Sequence, residues 1–401
     1  MDIVIISEFC EDFSITDNDR FLYLSKLLSS DLKDHNVEII TSSFRHTTKT
    51  HRREALFNWP FKISFIDEPG YKKNVCFQRF FSHYIWGKNV LKYLKSRKKP
   101  DLIYCAVPPL YASYLIAKYC KQNHIRFIID VQDLWPESFK MVFSVPIVSS
   151  VLFFPFNCLA NYVYKTASDV IAVSESFIER VKEKNKKAKH FQSVFLGTDI
   201  KGFDENVLNN TVSRENNRLV LGYSGTLGHS YNLPLVFDAL KILKDKGVGV
   251  PLFLIIGDGP MMDKYKQYAS DVGIDSIFCG RVAYSAMCGI LATSDFVINP
   301  IVGKSVASII NKHADYAAVG KPVINTQVSQ EYRTLIDNYK MGFNCKTDDP
   351  RDIANCIEKL SLDSALRIEM GRNARKCAEE LFDRRVTYKK IISIILNQEV
   401  T

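Results

Sequence analysis

Short apolar runs alternate with segments of helical spacing along this chain, and that alternation constrains the fold more than any other feature. Asp2–Ile6 (DIVII) is a strand-like run, and Arg20–Ser30 (RFLYLSKLLSS) after it has the spacing of an amphipathic helix. Such alternation is typical of βαβ units, which form a parallel sheet with helices on both faces. In the first half, the pattern also predicts strands at 37–41, 102–106, 127–131 and 169–173, and helices at 77–94 and 110–121.

The alternation stops in one polar stretch and then starts again, which predicts two α/β domains. The stretch is 199–218 (DIKGFDENVLNNTVSRENNR), and strands are predicted beyond it at 219–223, 252–256, 296–299 and 322–325. A length of 401 residues also exceeds one ordinary core. We therefore predict two doubly wound Rossmann-like domains facing each other across a cleft, where such sheets bind ligands. The predicted boundaries are 1–203 for the first domain, 204–217 for the linker, 218–380 for the second domain, and 381–401 for a C-terminal helix packing on the first domain.

The composition is that of a folded intracellular protein with a basic first half. The ten cysteines are scattered without a C-x-x-C pair, and no signal peptide is evident, so we expect free thiols in the cytoplasm. Residues 1–203 hold 29 Lys and Arg against 21 Asp and Glu, and nine of the basic residues lie in 72–99. This cluster is either a solvated helix face or a surface for an anionic membrane or a pyrophosphate-bearing lipid. Nucleic acid is not expected, because no aromatics interleave with the basic residues at the spacing of a known module.

Residues 141–164 contain no Asp, Glu, Lys or Arg. The segment is long enough to span a bilayer, but its two prolines, its asparagines and the enzyme-like sequence on both sides argue against spanning. An interfacial helix pair dipping into one leaflet and a buried core helix are the two remaining interpretations.

The stretch 311–324 (NKHADYAAVGKPVI) is predicted to be a short capped helix followed by a buried strand. Asn311 is the expected N-cap and Gly320 the expected left-handed terminator. Lys312 and Asp315 are three residues apart, so they share a face of the first turn, where the helix dipole favours an anion. They would suit a nucleotide, with Lys312 on phosphate and Asp315 on ribose; the alternative is a solvated amphipathic helix.

Three turns follow predicted strands of the second half. The first, 222–228 (GYSGTLG), has glycines that allow backbone to approach a phosphate, although a turn without a ligand is a real alternative. The second, 255–260 (IIGDGP), we interpret as structural. The third carries Arg281, which either faces a base or phosphate or lies on the surface.

The densest polar cluster of the first half is 130–137 (DVQDLWPE), at the end of a predicted strand. Gln132, Asp133 and Glu137 are candidates for catalytic contacts with sugar hydroxyls, and Trp135 is a candidate for stacking on a pyranose. The sequence has no Ser-His-Asp order, nucleophile elbow or metal-like histidine cluster.

Taken together, these motifs resemble those of the GT-B glycosyltransferases of family 4, over nearly the whole chain. The likeness is strongest to bacterial enzymes of capsular polysaccharide and O-antigen synthesis. The resemblance implies a nucleotide-sugar site made by Gly225, Thr226, Arg281, Lys312 and Asp315, with Asp315 in place of the second Glu of an E-x7-E motif. Ala307 replaces the first Glu, and Gln132 stands where many members carry a His. Asp19 and Arg20 would lie on the acceptor side, because residues 16–20 occupy the place of the family's Gly-Gly loop, and Trp135 would lie there as the platform for a pyranose ring.

The resemblance implies a retaining transferase that takes a hexose or N-acetylhexosamine from a UDP-sugar without a metal or other cofactor. Its acceptor would be an undecaprenyl-diphosphate-linked saccharide, which places the protein in the cytoplasm, peripheral on the inner membrane. Two alternatives remain at this stage: a nucleotide-sugar epimerase or hydrolase, and a non-catalytic nucleotide-sugar-binding protein.

Overall fold

The protein consists of two compact α/β units. The computed structural model describes residues 1–10, 13, 18–30, 35–52, 59–74, 76–138, 153–214, 217–303 and 309–398. The first unit comprises Met1–Phe195 and Tyr388–Thr401, and the second comprises Leu196–Thr387.

The first unit is built on a seven-stranded parallel sheet of order β5-β2-β1-β6-β7-β8-β9. The chain leaves β1 towards one edge and returns with β6 on its other side, so the strand order reverses between β1 and β6. The strands are β1 (Asp2–Ile6), β2 (Asn36–Ser42), β5 (Lys62–Ile66), β6 (Leu102–Val107), β7 (Arg126–Val131), β8 (Asp169–Ala172) and β9 (Phe191–Ser193), and the short antiparallel pair β3 (Phe44–Arg45) and β4 (Thr50–His51) lies apart from them.

Helices cover this sheet, and the C-terminus of the chain completes its core. The helices are α1 (Arg20–Ser30), α2 (Phe77–Ser96), α3 (Leu110–Asn123), α4 (Phe154–Thr166) and α5 (Glu175–Lys182). Tyr388, Ile391 and Ile394 pack in the same apolar cluster as Ile3 and Ile5 of β1. Burial of these apolar faces stabilises the unit, at about 25 cal/mol per Å² removed from water.

The second unit repeats the plan with a six-stranded parallel sheet of order β12-β11-β10-β13-β14-β15, which reverses between β10 and β13. Its strands are β10 (Val220–Ser224), β11 (Leu252–Ile256), β12 (Ser276–Gly280), β13 (Phe296–Asn299), β14 (Val323–Asn325) and β15 (Gly342–Asn344). Its helices are α6 (Ile200–Asn209), α7 (Leu233–Asp245), α8 (Met262–Asp271), α9 (Tyr284–Ala292), α10 (Asn311–Ala318), α11 (Gln330–Tyr339), α12 (Pro350–Leu362), α13 (Ser364–Cys377), α14 (Arg384–Thr387) and α15 (Lys389–Ile395), the last lying within the first unit, with a π-helical turn at Ala378–Phe382.

The predicted fold class, two doubly wound parallel α/β domains, is confirmed. The chain divides at 195/196, ahead of the predicted boundary at 203, and the predicted linker begins inside α6. Polar composition alone suggested a linker there, but Ile200 and Phe203 give this helix a buried face.

The uncharged segment 141–164 is described only in its second half, since 139–152 lie outside the described residues. That half forms α4, which buries Ala160, Val163 and Tyr164 and exposes Phe154. None of the helices in the described part of the chain is long and apolar enough to cross a membrane.

Candidate functional site

Helix α10 follows β13, which lies beside β10 where the strand order of the second sheet reverses. The helix does not begin in the way that the sequence predicted. Asn311 lies inside the helix and Ile310 is the N-cap residue, so the predicted Asn311 cap is wrong. His313 provides the cap instead, because the Ile310 N–H donates to its Nδ1 at 3.3 Å. Gly320 has the predicted left-handed conformation, with φ of +67°.

Lys312 is buried, and its ammonium has no hydrogen-bond partner among the residues that the structure describes. The side chain is 7% exposed, and Nζ lies 4.3 Å from the ring centroid of Tyr223 and 3.8 Å from that of Tyr231. Burial lowers the pKa of this ammonium well below its usual range. The two aromatic faces offset part of the cost of burying the cation, but an unmet charged donor remains at this edge of the sheet.

The GYSGTLG turn lies against the same ammonium. A Cβ at residue 225 would stand 2.7 Å from Lys312 Nζ, and Gly225 has a φ of +146°. The turn interlocks with IIGDGP, since the N–H of Gly225 donates to Ile256 O and that of Leu227 donates to Asp258 O, both at 2.9 Å. These bonds support the structural interpretation of the IIGDGP turn, because it holds the GYSGTLG turn in place.

Asp315 sits on the same helix in a second polar environment. The Tyr284 hydroxyl donates to its Oδ1 at 2.8 Å and lies 2.9 Å from Thr198 Oγ1. Burial raises the pKa of Asp315 to about 6, while Tyr284, Arg384 and Thr198 act in the opposite direction. Asp315 and Lys312 are both buried, which excludes the alternative of a solvated helix face.

The two remaining donor-side candidates are more open to solvent. Thr226 is exposed at the tip of the glycine turn, where its carbonyl accepts from the Tyr223 hydroxyl at 2.8 Å. Arg281 is exposed immediately after β12. Their roles in binding the donor stay predictions.

An asparagine ladder at the carboxyl ends of β13, β14 and β15 was missed by the sequence reasoning. Asn299 donates to Asn325, which donates to Asn344, each at 2.9 Å. Asn299 Nδ2 also lies 3.2 Å from Nε2 of His313, whose ring stacks on Tyr332 at 3.5 Å. The ladder therefore anchors the first turn of α10, from which Lys312 projects.

In the first unit, the structure gives Asp19 and Arg20 architectural roles. Asp19 Oδ1 accepts from the backbone N–H groups of Phe21 and Leu22 and so caps α1. Arg20 is buried and pairs with Asp130, with Nε 2.7 Å from Oδ2. This burial and pairing argue against the predicted acceptor contacts.

The DVQDLWPE segment lies at the carboxyl end of β7, with most of its polar atoms held internally. Trp135 is 4% exposed, with His83 stacked on its indole and Arg79 over the ring, so it cannot serve as the predicted open sugar platform. Its N–H donates to Asp133 Oδ2 at 2.9 Å. Glu137 pairs with Arg180 at 2.6 Å.

Gln132 and Glu137 are the members of this segment that each have an unmet polar atom. Gln132 Nε2 and Glu137 Oε2 are buried and have no hydrogen-bond partner among the described residues. Asp133 also accepts from Ser138 Oγ at 2.5 Å, which fixes its carboxylate. Of the catalytic candidates in the first unit, Gln132 and Glu137 keep an atom that a ligand could contact, whereas both carboxylate oxygens of Asp133 are already hydrogen-bonded.

A second polar cluster, near β1, was also missed. Glu8 and His83 are 2% and 3% exposed, with Glu8 Oε1 and His83 Nε2 3.5 Å apart. Burial and the neighbouring Glu68 raise the pKa of Glu8 well above its usual range, and burial lowers that of His83. Residues 75 positions apart give no sequence signal for such a pair; a carboxylate just after β1 was the one available clue.

Within the described ranges, no three His, Cys, Asp or Glu side chains come together as a metal site. The expectation that the reaction needs no metal stays a prediction.

Comparison with known proteins identifies the second unit. Residues 218–363 match the family model described as Glycosyl transferases group 1. The second unit is therefore similar to the group 1 glycosyltransferases. The match contains β10, the glycine turns and α10, so Lys312 and Asp315 lie inside the region that defines the family.

Individual proteins are similar to this chain over most of its length. The capsular polysaccharide biosynthesis glycosyltransferase CapM of Staphylococcus aureus is 25% identical over 328 residues, covering 77% of this chain and 80% of CapM. Anabaena HepE, solved with UDP and with UDP-glucose, superposes with TM-scores of 0.69 and 0.68 at 16% and 17% identity, each over 99% of this chain and all of HepE. Sucrose-phosphate synthase of Thermosynechococcus elongatus gives a TM-score of 0.73 at 12% identity, over 99% and 98% of the two chains. The fold is GT-B.

We expect the buried Asp315 carboxylate to lower the stability of the folded protein when it is ionised. Its folded-state pKa of about 6 exceeds the unfolded value of 3.8, so this group's contribution to stability falls as pH rises between those values and stays low above them. Asp315→Asn should therefore raise the free energy of unfolding at pH 8 by about 1–3 kcal/mol, with a smaller gain near pH 5. Urea denaturation at both pH values measures this.

Asp271→Asn, at an exposed carboxylate, is the control and should change stability little at either pH. Destabilisation of Asp315→Asn at both pH values would show instead that the buried partners require the negative charge.

Proposed function

We propose that this protein is a glycosyltransferase that moves a sugar from a UDP-sugar to a lipid-linked saccharide, with retention of anomeric configuration, in the synthesis of a bacterial surface polysaccharide. The observation that carries the proposal is the unpartnered Lys312 ammonium beside the glycine turn, where the second sheet reverses. The complexes of HepE with UDP and UDP-glucose support a UDP-sugar as the donor. The description of CapM as a capsular polysaccharide biosynthesis enzyme supports a role in the synthesis of a surface polysaccharide.

The second unit offers each part of a UDP-sugar a matching group. Lys312 supplies the positive charge for the diphosphate. The backbone N–H groups of Thr226 and Gly228 donate no hydrogen bond within the described part of the chain, so they are available to the same anion. Asp315, oriented by Tyr284, would accept from the ribose hydroxyls.

These groups suit a reaction in which a diphosphate leaves. The bond from the sugar C1 to the diphosphate oxygen breaks, the bond from C1 to the acceptor oxygen forms on the same face, and the acceptor proton passes to the departing diphosphate. Lys312 stabilises the charge that develops on that leaving group, which is the role of preorganised donors in other transferases. The diphosphate itself takes the proton, so this scheme needs neither a protein base nor a divalent metal.

Lys312→Met should lower kcat/KM for the donor by about 10²–10³-fold, because the charge on the leaving diphosphate would be unmet. Transfer from UDP-hexoses and UDP-N-acetylhexosamines to polyprenyl-diphosphate saccharides, followed by mass spectrometry with NMR of the new anomeric centre, measures this.

Lys321→Met is the matched control, since Lys321 lies in the same segment but before β14, and it should behave as wild type. A fully active Lys312→Met enzyme would contradict the proposed donor site. An inverted product would overturn retention, and release of free or epimerised sugar without an acceptor would favour the hydrolase or epimerase alternative.

We further propose that the first unit binds the cytoplasmic face of the inner membrane, where such an acceptor resides. Helix α2 presents an exposed stripe of aromatics followed by lysines: Phe77, Phe81, Tyr84, Lys88 and Lys92. Their spacing of three or four residues places them on one face of the helix. Phe77 is 94% exposed, which is costly for a surface that meets only water.

Neighbouring helices extend this aromatic stripe. Tyr84 packs on Tyr111 of α3 at 4.6 Å, and Tyr114 of α3 packs on Tyr162 of α4 at 5.0 Å. Aromatic side chains flanked by lysines favour the headgroup region of an anionic bilayer. This supports the interfacial interpretation of the uncharged segment and the peripheral location.

The double variant Phe77→Asp/Phe81→Asp should lose most binding to vesicles that contain anionic lipid, because it places charge where apolar rings would insert. Liposome flotation measures the bound fraction. Leu362→Asp, at an exposed leucine of the second unit, is the control and should bind as wild type. Equal binding by all three proteins, or none by the wild type, would refute the membrane surface.

A further inference from the structure

The carboxyl edge of the first sheet holds buried polar atoms that the proposed donor chemistry does not use. They belong to Glu8 and His83, and neither Glu8 carboxyl oxygen nor His83 Nε2 makes a hydrogen bond of normal geometry with a described donor or acceptor. Leaving such a group unmet costs about 1–3 kcal/mol. Unmet groups in a folded protein therefore call for a ligand or a water.

The position of Glu8 in the topology points to a ligand. Glu8 follows β1 directly, and the strand order of the first sheet reverses between β1 and β6. Doubly wound sheets bind their ligands at the carboxyl ends of the strands, at this reversal. Lys312 lies at the corresponding reversal of the second sheet, so each sheet has unmet polar atoms at its own binding edge.

The protonation states suit a neutral ligand better than an ion. Glu68, the neighbouring carboxylate, accepts hydrogen bonds from the hydroxyls of Ser42 and Ser82. Burial and the neighbouring Glu68 raise the pKa of the Glu8 carboxyl well above its usual range, which favours its neutral form. Burial, with Arg79, His46 and Lys49 nearby, keeps His83 neutral.

One oxygen atom can contact both members of the pair. Glu8 Oε1 and His83 Nε2 are 3.5 Å apart, so a hydroxyl oxygen about 2.8 Å from each would bridge them. The imidazole of His83 stacks on Trp135 at 5.9 Å, and Trp135 donates to Asp133. The pair is thus joined to the DVQDLWPE segment through two side-chain contacts.

We propose that Glu8 and His83 form a hydroxyl-binding subsite for the acceptor saccharide, one that fixes the orientation of the acceptor. This rests on the proposed transfer to a saccharide. Both residues are specificity determinants, and Trp135 with Asp133 positions them. The ligand is a neutral sugar hydroxyl; a permanently held water is the competing occupant.

The test compares acceptor binding with donor binding in three variants. His83→Phe keeps the ring on Trp135 but removes Nε2, Glu8→Leu removes both oxygens, and Glu8→Gln retains one acceptor oxygen. Tryptophan fluorescence, to which Trp135 beside the site contributes, reports binding of a short-chain polyprenyl-diphosphate saccharide, and calorimetry reports binding of UDP. We expect His83→Phe and Glu8→Leu to weaken acceptor binding at least 10-fold, Glu8→Gln to stay within about threefold of wild type, and UDP affinity to be unchanged throughout.

Ser113→Ala is the matched control, because it removes a buried hydroxyl of the same unit whose partners are the backbone carbonyls of Ala106 and Pro109 and the Cys105 thiol. It should alter stability without altering acceptor affinity. If His83→Phe folds and binds the acceptor like wild type, the subsite holds only water and the inference is overturned, even should Glu8→Leu fail to fold. A wild-type protein that binds UDP but no saccharide would overturn both the subsite and the acceptor part of the proposed function, whereas failure to bind UDP would count against the donor assignment alone.

Discussion

The buried, unpartnered ammonium of Lys312 is the feature on which the second unit's site depends. Helix α10 delivers it to the point where the sheet reverses, and His313 and the asparagine ladder hold that helix end in place. The glycine turn leaves room for Nζ, since a Cβ at position 225 would collide with it. Two tyrosine rings reduce the cost of desolvating the charge without supplying an anion. The site therefore holds a buried cation without a counter-ion. Under the proposed function, the donor diphosphate would provide that negative charge.

Polar groups at the two binding edges divide into those that are paired and those that are not. Arg20 and Asp130 are buried together, with Tyr104 donating to Asp130 at 2.6 Å, so they stabilise the first unit rather than bind a substrate. Breaking such a pair costs about 3–5 kcal/mol, whereas its net contribution is small. Lys312, Glu8 and His83 are equally buried but unmet, which destabilises the empty protein. That difference in pairing, more than polarity itself, separates candidate ligand contacts from architecture.

Local sequence pattern predicted the interior strands of both sheets, the two α/β domains and the α10 segment, because buried parallel strands and a Gly-Lys-Pro helix end have strong local signatures. It also selected Lys312 and Asp315 in advance, although it assigned the helix cap to Asn311 where His313 provides it. It failed where the answer depended on packing across the sheet. Trp135 was expected to be an open platform, but His83, distant in sequence, stacks on it. Glu8 and His83 went unnoticed because only the topology brings them together, and Arg20 was placed on the acceptor side because its partner Asp130 is 110 residues away.

Proton uptake on binding of UDP tests the central claim most directly, because it reports on the Lys312 ammonium itself. Burial lowers the pKa of Lys312 in the empty site, and a bound diphosphate should raise it again. Calorimetric titration of UDP at pH 9, in two buffers of different ionisation enthalpy, counts the protons exchanged. The account predicts net uptake by the wild-type protein and none by Lys312→Met, which should also bind UDP more weakly. Equal affinity and equal proton exchange in the two proteins would show that Lys312 is not the diphosphate ligand.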